Sequence, residues 1–185
     1  MALLQIRKYG DPVLRQKAKQ IDPIDDEIVK LAEDMIETMQ VAKGIGLAAP
    51  QIGLSLSMCV VDIGLIEEGA SPEAFINPEI IEEFGDDYTM EEGCLSIPEV
   101  NDDVTRKEAI RVTYQDINGE KHELSCDGML ARVLQHEIDH LHGIFFTDRL
   151  SAIKRKLLAK KLRAIESEAI HERIERNRQR ELQAQ

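Results

Sequence analysis

Tryptophan is missing from this 185-residue chain, and aromatic side chains are otherwise limited to four phenylalanines and three tyrosines. A core assembled from so few rings must be chiefly aliphatic, which a chain of this length can still bury as one domain. Cysteine is scarce too. Cys59, Cys94 and Cys126 form an odd set without paired spacing, which argues against a disulfide framework and for a reducing compartment. No stretch approaches about 18 uninterrupted apolar residues, and Met1 to Lys8 has no long apolar region behind a basic start. Neither a membrane partner nor export is expected, and the expected location is cytoplasmic. There is no internal repeat, low-complexity linker or Pro/Gly/Ser hinge, so residues 1–150 are expected as a body and 151–185 as a basic tail of the same single domain.

Basic charge is the next deficit. The net charge is −12, and it is unevenly spread: residues 151–185 carry ten Lys and Arg against five acids, whereas residues 1–150 carry 13 against 30. An acidic body disfavours DNA as a partner. In the tail, Lys154, Arg155, Lys156, Lys160, Lys161 and Arg163 form a cluster that no acid interrupts.

The patterning predicts an α+β fold: antiparallel sheets packed around a central helix, with an N-terminal and a C-terminal helix. Ile28, Leu31, Ala32, Met35, Ile36 and Met39 recur at helical spacing between the cap-competent Asp25-Asp26 and Gly44. Strands are expected over Ser57–Ile63, Phe75–Glu83 and Ile110–Tyr114, the last leading into the hairpin signal Asn118-Gly119. Met129, Leu130, Val133 and Leu134 then lead a second helix, and Ile153, Leu157, Leu158, Leu162 and Ile165 a third from near Ser151. Past residue 165 the sequence is charged enough that this helix is expected to protrude or fray. Cys59 reads as a core thiol, and Cys126 as a turn or capping residue before Asp127-Gly128.

Within the second helix lies His136-Glu137-Ile138-Asp139-His140, an H-E-x-x-H motif. Its two histidines, four apart, leave the same helix face and can bind one metal ion, with Glu137 beside them as general base. The extended form of the motif would put a third histidine where this chain has Phe146, although its glycine is present as Gly143. His142 lies on a different face, so the third ligand must come from elsewhere. Cys94, in Glu92-Gly93-Cys94-Leu95-Ser96-Ile97-Pro98, is the leading candidate at a shaped loop or strand end. One thiolate and two imidazoles leave one position open, as catalytic metals require.

A third segment, Gly44-Ile45-Gly46-Leu47-Ala48-Ala49-Pro50-Gln51, lacks the lysine of a phosphate loop and the third glycine of a dinucleotide fingerprint. It reads as a glycine-rich loop after a helix. The three segments together, in this order, resemble the signature of the peptide deformylases: G-φ-G-φ-A-A-x-Q, E-G-C-φ-S and H-E-x-x-D-H, where φ is apolar and the last is written here as His136-Glu137-Ile138-Asp139-His140. The resemblance covers roughly residues 1–150. It implies removal of the N-formyl group from the initiator methionine of nascent N-formylated polypeptides, with release of formate. It also implies Cys94, His136 and His140 as metal ligands, Glu137 as acid-base residue, and an oxyanion held by the Gln51 amide and the Leu95 backbone N–H. Gly46 is implied as a backbone contact to substrate, and Ile45, Met90, Met129 and Val133 are candidate walls of a methionine pocket. The implied native metal is Fe2+, with Ni2+ or Co2+ as working substitutes; the ligand set also suits Zn2+. Arg132 stands one turn before His136, where some family members carry an apolar residue. After Pro98 the chain lacks a basic residue that some relatives have. The basic C-terminal helix suggests a contact with the ribosome.

Overall fold

The computed structural model describes residues 3–183. Asp25 caps the first helix, α1 (Asp26–Val41), by accepting the N–H groups of Glu27 and Ile28, both at 3.1 Å. Asp26 and Glu27 in its first turn complement the helix dipole. Five strands follow: β1 (Gly46–Ala48), β2 (Met58–Val61), β3 (Glu73–Cys94), β4 (Ile97–Gln115) and β5 (Lys121–Asp127). They form one antiparallel sheet in sequence order, β1-β2-β3-β4-β5. Two further helices, α2 (Gly128–Leu141) and α3 (Ala152–Gln183), complete the α+β architecture.

Successive strand residues point to opposite faces, and here both faces are covered. Ala48, Cys59, Val61 and Phe75 pack on α2 through Leu130, Ala131, Leu134 and Ile138. Their neighbours Leu47, Met58, Val60, Ala74 and Ile76 pack on α1 through Ala32, Met35 and Met39. Burial on both faces explains why Met58-Cys59-Val60-Val61 is continuously apolar rather than alternating. A third cluster joins Val100 and Val104 of β4 to Phe145, Phe146 and the α3 residues Leu162 and Ile165.

β3 and β4 are longer than their patterning indicates, whereas β2 is shorter than the expected Ser57–Ile63. β3 and β4 form an extended hairpin closed by the two-residue turn Leu95-Ser96, with register shifts near Ile76, Ile80 and Phe84 that break the alternation. The Gly44–Gln51 segment, expected as a loop, contains β1 and a 3₁₀ turn over Ala49–Ile52. Cys126 lies within β5 and not in a turn. α3 begins where expected, but Ile153 and Leu157 are 75 % and 77 % exposed, so its packed stripe runs through Leu162, Ile165 and Ala169. Nor does it leave the body after residue 165: Arg176 pairs with Asp11 at 2.7 Å.

Candidate active site

α2 is the central element of the site, buried at every residue from Leu130 to Leu141. A helix buried on all sides is ordinarily apolar throughout. This one carries Arg132, Gln135, His136, Glu137, Asp139 and His140, so each needs a partner in the protein. His136 and His140 face the end of β3, where the hairpin turn presents Cys94. One ligand atom from each of the three lies within 4.8 Å of the others. Cys94 Sγ is 3.2 Å from His140 Nε2. His136 Nδ1 is 2.9 Å from Glu92 Oε2, which leaves Nε2 as the atom that could bind a metal ion. Phe146, in place of a third histidine, stacks on the His136 ring at 6.1 Å.

Glu92 anchors a buried ion network that the motif alone did not reveal. Arg106 Nε and Nη2 donate to its two oxygens at 2.6 and 2.9 Å, and Arg132 Nη1 donates at 2.9 Å. Arg106 Nη1 continues to Asp139 at 2.7 Å, and Arg149 grips the same carboxylate with two bonds of 2.6 Å. Burial opposes the charge on Glu92, but hydrogen bonds from Arg106 and His136 outweigh it and hold the carboxyl well below the usual range. Glu92 shares a strand face with Cys94, two residues on, and this was the one available signal. The pairing of Arg106 with Asp139, 33 residues apart, has no sequence signature.

Glu137 is 4 % exposed, and its Oε2 has no hydrogen-bond partner among the described residues. Burial raises its pKa to about 7, and a cation alongside would favour the carboxylate. Burial also opposes the charged form of His136, yet hydrogen bonds to Cys94 and Glu92 raise its pKa to about 10. His140 is pushed well below its ordinary value by burial and then by the charge of His136.

The glycines of the first motif are required by close approach, not by left-handed backbone: neither Gly44 nor Gly46 has a positive φ. A Cβ on Gly46 would fall 2.5 Å from Glu137 Oε1, and one on Gly44 would fall 2.7 Å from the Leu95 side chain. Gln51, 2 % exposed, accepts the Ala48 N–H at 2.8 Å and turns its Nε2 towards Ser96 Oγ at 3.1 Å and Cys94 Sγ at 3.5 Å.

A cavity of about 430 Å³ opens onto this cluster. Ile45, Gly46, Gln51, Met90, Cys94, Leu95, Met129, Val133, His136 and Glu137 all line it, and His140 lies behind Cys94. Every site residue marked in the sequence is therefore in one place. Arg132 also lines the cavity, with its guanidinium turned inwards. Lys43, Glu91 and Glu99 occur at the lining as well; Glu99, at φ 60°, opens the stretch Glu99–Asp103 after Pro98, which holds no basic residue.

A thiolate and two imidazoles beside a buried carboxylate, in a cavity open to solvent, are the donor chemistry of a catalytic metal, and the class so defined is that of the metallohydrolases. Residues 3–156 match the sequence profile of the polypeptide deformylases. The peptide deformylase of Desulfotalea psychrophila is 50 % identical over 164 residues, spanning 88 % of this chain and 96 % of that protein. That of Cytophaga hutchinsonii is 49 % identical over 157 residues, 83 % and 85 % of the two chains. Among solved structures, the Thermus thermophilus peptide deformylase superposes with a TM-score of 0.83 at 45 % identity, covering 90 % of this chain and 99 % of its own. This chain belongs to the peptide deformylase family, metal-dependent hydrolases that remove the N-formyl group from nascent polypeptides. Among the described residues, no helix is long and apolar enough to cross a membrane.

Proposed function

We propose that this chain deformylates the initiator methionine of newly made polypeptides with ferrous iron held by Cys94, His136 and His140. The observation that carries this reading is the convergence of those three donors, within 4.8 Å of one another, beside the partnerless oxygen of buried Glu137. The donor set fits a divalent ion: the thiol and both imidazoles present one atom each to a common point, and Glu92 secures the His136 tautomer such a ligand needs. When bound, the metal supplies Lewis acidity and makes water a nucleophile near neutral pH.

Glu137 takes the proton of the attacking water as its oxygen bonds to the formyl carbon, then passes that proton to the amine as the C–N bond breaks. Formate leaves, and the peptide keeps a free amino terminus. The charge developing on the formyl oxygen is met by Gln51 Nε2 and the Leu95 N–H, each such donor contributing about 3 kcal/mol. Met90, Met129, Val133 and Ile45 accept the methionine side chain, while the Gly46 backbone pairs with the peptide. Iron is favoured over Zn2+ on the resemblance to the deformylases, and a ferrous site of this kind should lose activity in air as the ion or Cys94 oxidises. Ni2+ and Co2+ would be working substitutes. Residues 1–150 form the catalytic body and 151–185 a helical tail of the same domain, working in the cytoplasm, where the basic face of α3 meets the ribosome.

Formate release from formyl-Met-Ala-Ser, with metal content measured on the same anaerobically purified sample, tests this reading. Release scaling with bound iron, and no cleavage of the unformylated peptide, are the expected results. A correctly metallated, folded sample without release would move the chain to another substrate.

A further inference from the structure

Arg132 is a cavity residue whose chemistry the reaction as described leaves unused. It is 4 % exposed although it lines the cavity beside Met129 and Val133, and a guanidinium so buried needs partners. Nη1 donates to Glu92 Oε1 at 2.9 Å and to the Val104 carbonyl at 3.0 Å; Nη2 donates to the Tyr88 carbonyl at 2.5 Å. The Tyr88 ring lies against the guanidinium, 6.0 Å away. Tyr88 and Val104 belong to the facing strands β3 and β4, and Val104 is the register partner of Met90, the hairpin's contribution to the apolar wall. The other oxygen of Glu92 holds His136 Nδ1. One planar fork thus touches both strands behind the wall and the carboxylate behind a ligand.

We propose that Arg132 is a positioning residue that ties the methionine-binding wall to the orientation of His136. The inference rests on the reading of His136 as a metal ligand. Arginine suits the role because its rigid fork reaches one carboxylate and two carbonyls at once, whereas an ammonium is a single point of donors. Glu92 keeps both bonds from Arg106 when Arg132 is removed. An Arg132→Met change therefore leaves that carboxylate compensated and removes the tie to the hairpin.

Arg132→Met and Arg132→Lys are to be loaded with Co2+ and compared with the unsubstituted protein. The readouts are the visible bands of bound cobalt, the rate of cobalt loss to a chelator, and kcat and KM on formyl-Met-Ala-Ser and formyl-Ala-Ala-Ser. In Arg132→Met, kcat/KM on the methionine peptide is expected to fall about 10-fold, mainly through KM, with cobalt loss about 10-fold faster and its bands shifted. The alanine peptide, which leaves the wall unfilled, should lose much less. Arg132→Lys should recover part of the cobalt retention but not the KM. A lower melting temperature with unchanged bands, cobalt loss and kinetics would reduce Arg132 to a structural residue and overturn the proposal. If Arg132→Met does not fold, Arg132→Lys decides: wild-type bands and KM in that variant overturn it equally. Failure of the unsubstituted protein to bind cobalt or release formate would refute the reading of the site itself, a separate outcome.

Discussion

Gly46 and Glu137 are 91 residues apart in sequence, and each makes sense only against the other. The glycine is there because the carboxylate occupies the space a side chain would need. Gly46→Ala should therefore displace Glu137, and since a misplacement of about 1 Å can cost about 100-fold in rate, kcat is expected to drop by that order. Steady-state kinetics on formyl-Met-Ala-Ser would check it; unchanged kcat would mean the carboxylate has room to move. Glu137→Ala is expected to abolish formate release while metal content, measured by elemental analysis, stays near one per chain. Loss of metal along with activity would instead make Glu137 part of the cage. Cys94, His136, His140 and Glu137 were legible as candidates from motif spacing, and Gln51 from the resemblance to the family. Arg106 and Arg149 were not, because a buried ion pair is written in no local pattern.

At the scale of elements, the hairpin of β3 and β4 supports α2 through charge. Glu92→Ala would strip Arg106, Arg132 and His136 of their shared carboxylate, and leaving charge buried and unpaired costs about 3–5 kcal/mol. Urea unfolding should show a loss of that size, against less than about 1 kcal/mol for an exposed pair. One less buried pair joins β4 to the start of α3: Lys154 Nζ donates to Asp102 and to the Asp103 carbonyl. The bond from Lys154, helped by the Asp103 N–H, holds the Asp102 carboxyl below its ordinary 3.8. Since the folded value is depressed, the stabilisation is fully present above the unfolded pKa and is lost as pH falls through the folded one. Asp102→Asn should thus lower the urea midpoint slightly near neutrality, with the difference shrinking as the pH drops through the carboxylate range. A difference that persisted in acid would assign the effect to packing. The patterning found α1, α2 and the core of β2, whose apolar runs are strong. It missed β1 and most of β3 and β4, because bulges interrupt their alternation and much of β3 is exposed.

Over the whole molecule, charge divides into an acidic body and a basic helix held along it by Leu162, Ile165, Ala169 and the Arg176–Asp11 pair. Lys154 is committed to Asp102, so the cations open to a polyanion are Arg155, Lys156, Lys160, Lys161 and Arg163. Reversing Arg155, Lys156, Lys160 and Lys161 to glutamate should weaken ribosome binding and flatten its salt dependence, since each lost phosphate contact removes close to one from the slope. Ribosome sedimentation at two salt concentrations would show it; binding indifferent to the reversal would sink the docking reading.

The sequence by itself determined the chemistry: helical spacing puts two imidazoles on one face, a glycine-flanked thiol marks a bend, and three ordered motifs specify a family. The same local periodicities determined the α+β class. Only the tertiary structure decided why the motif residues are what they are. Gly46 answers to Glu137, Glu92 to Arg106 and Arg132, and the exposed Ile153 and Leu157 to the path α3 takes across β4. Those choices depend on distances between residues far apart in the chain, which excluded volume and buried charge set only once the chain has closed on itself.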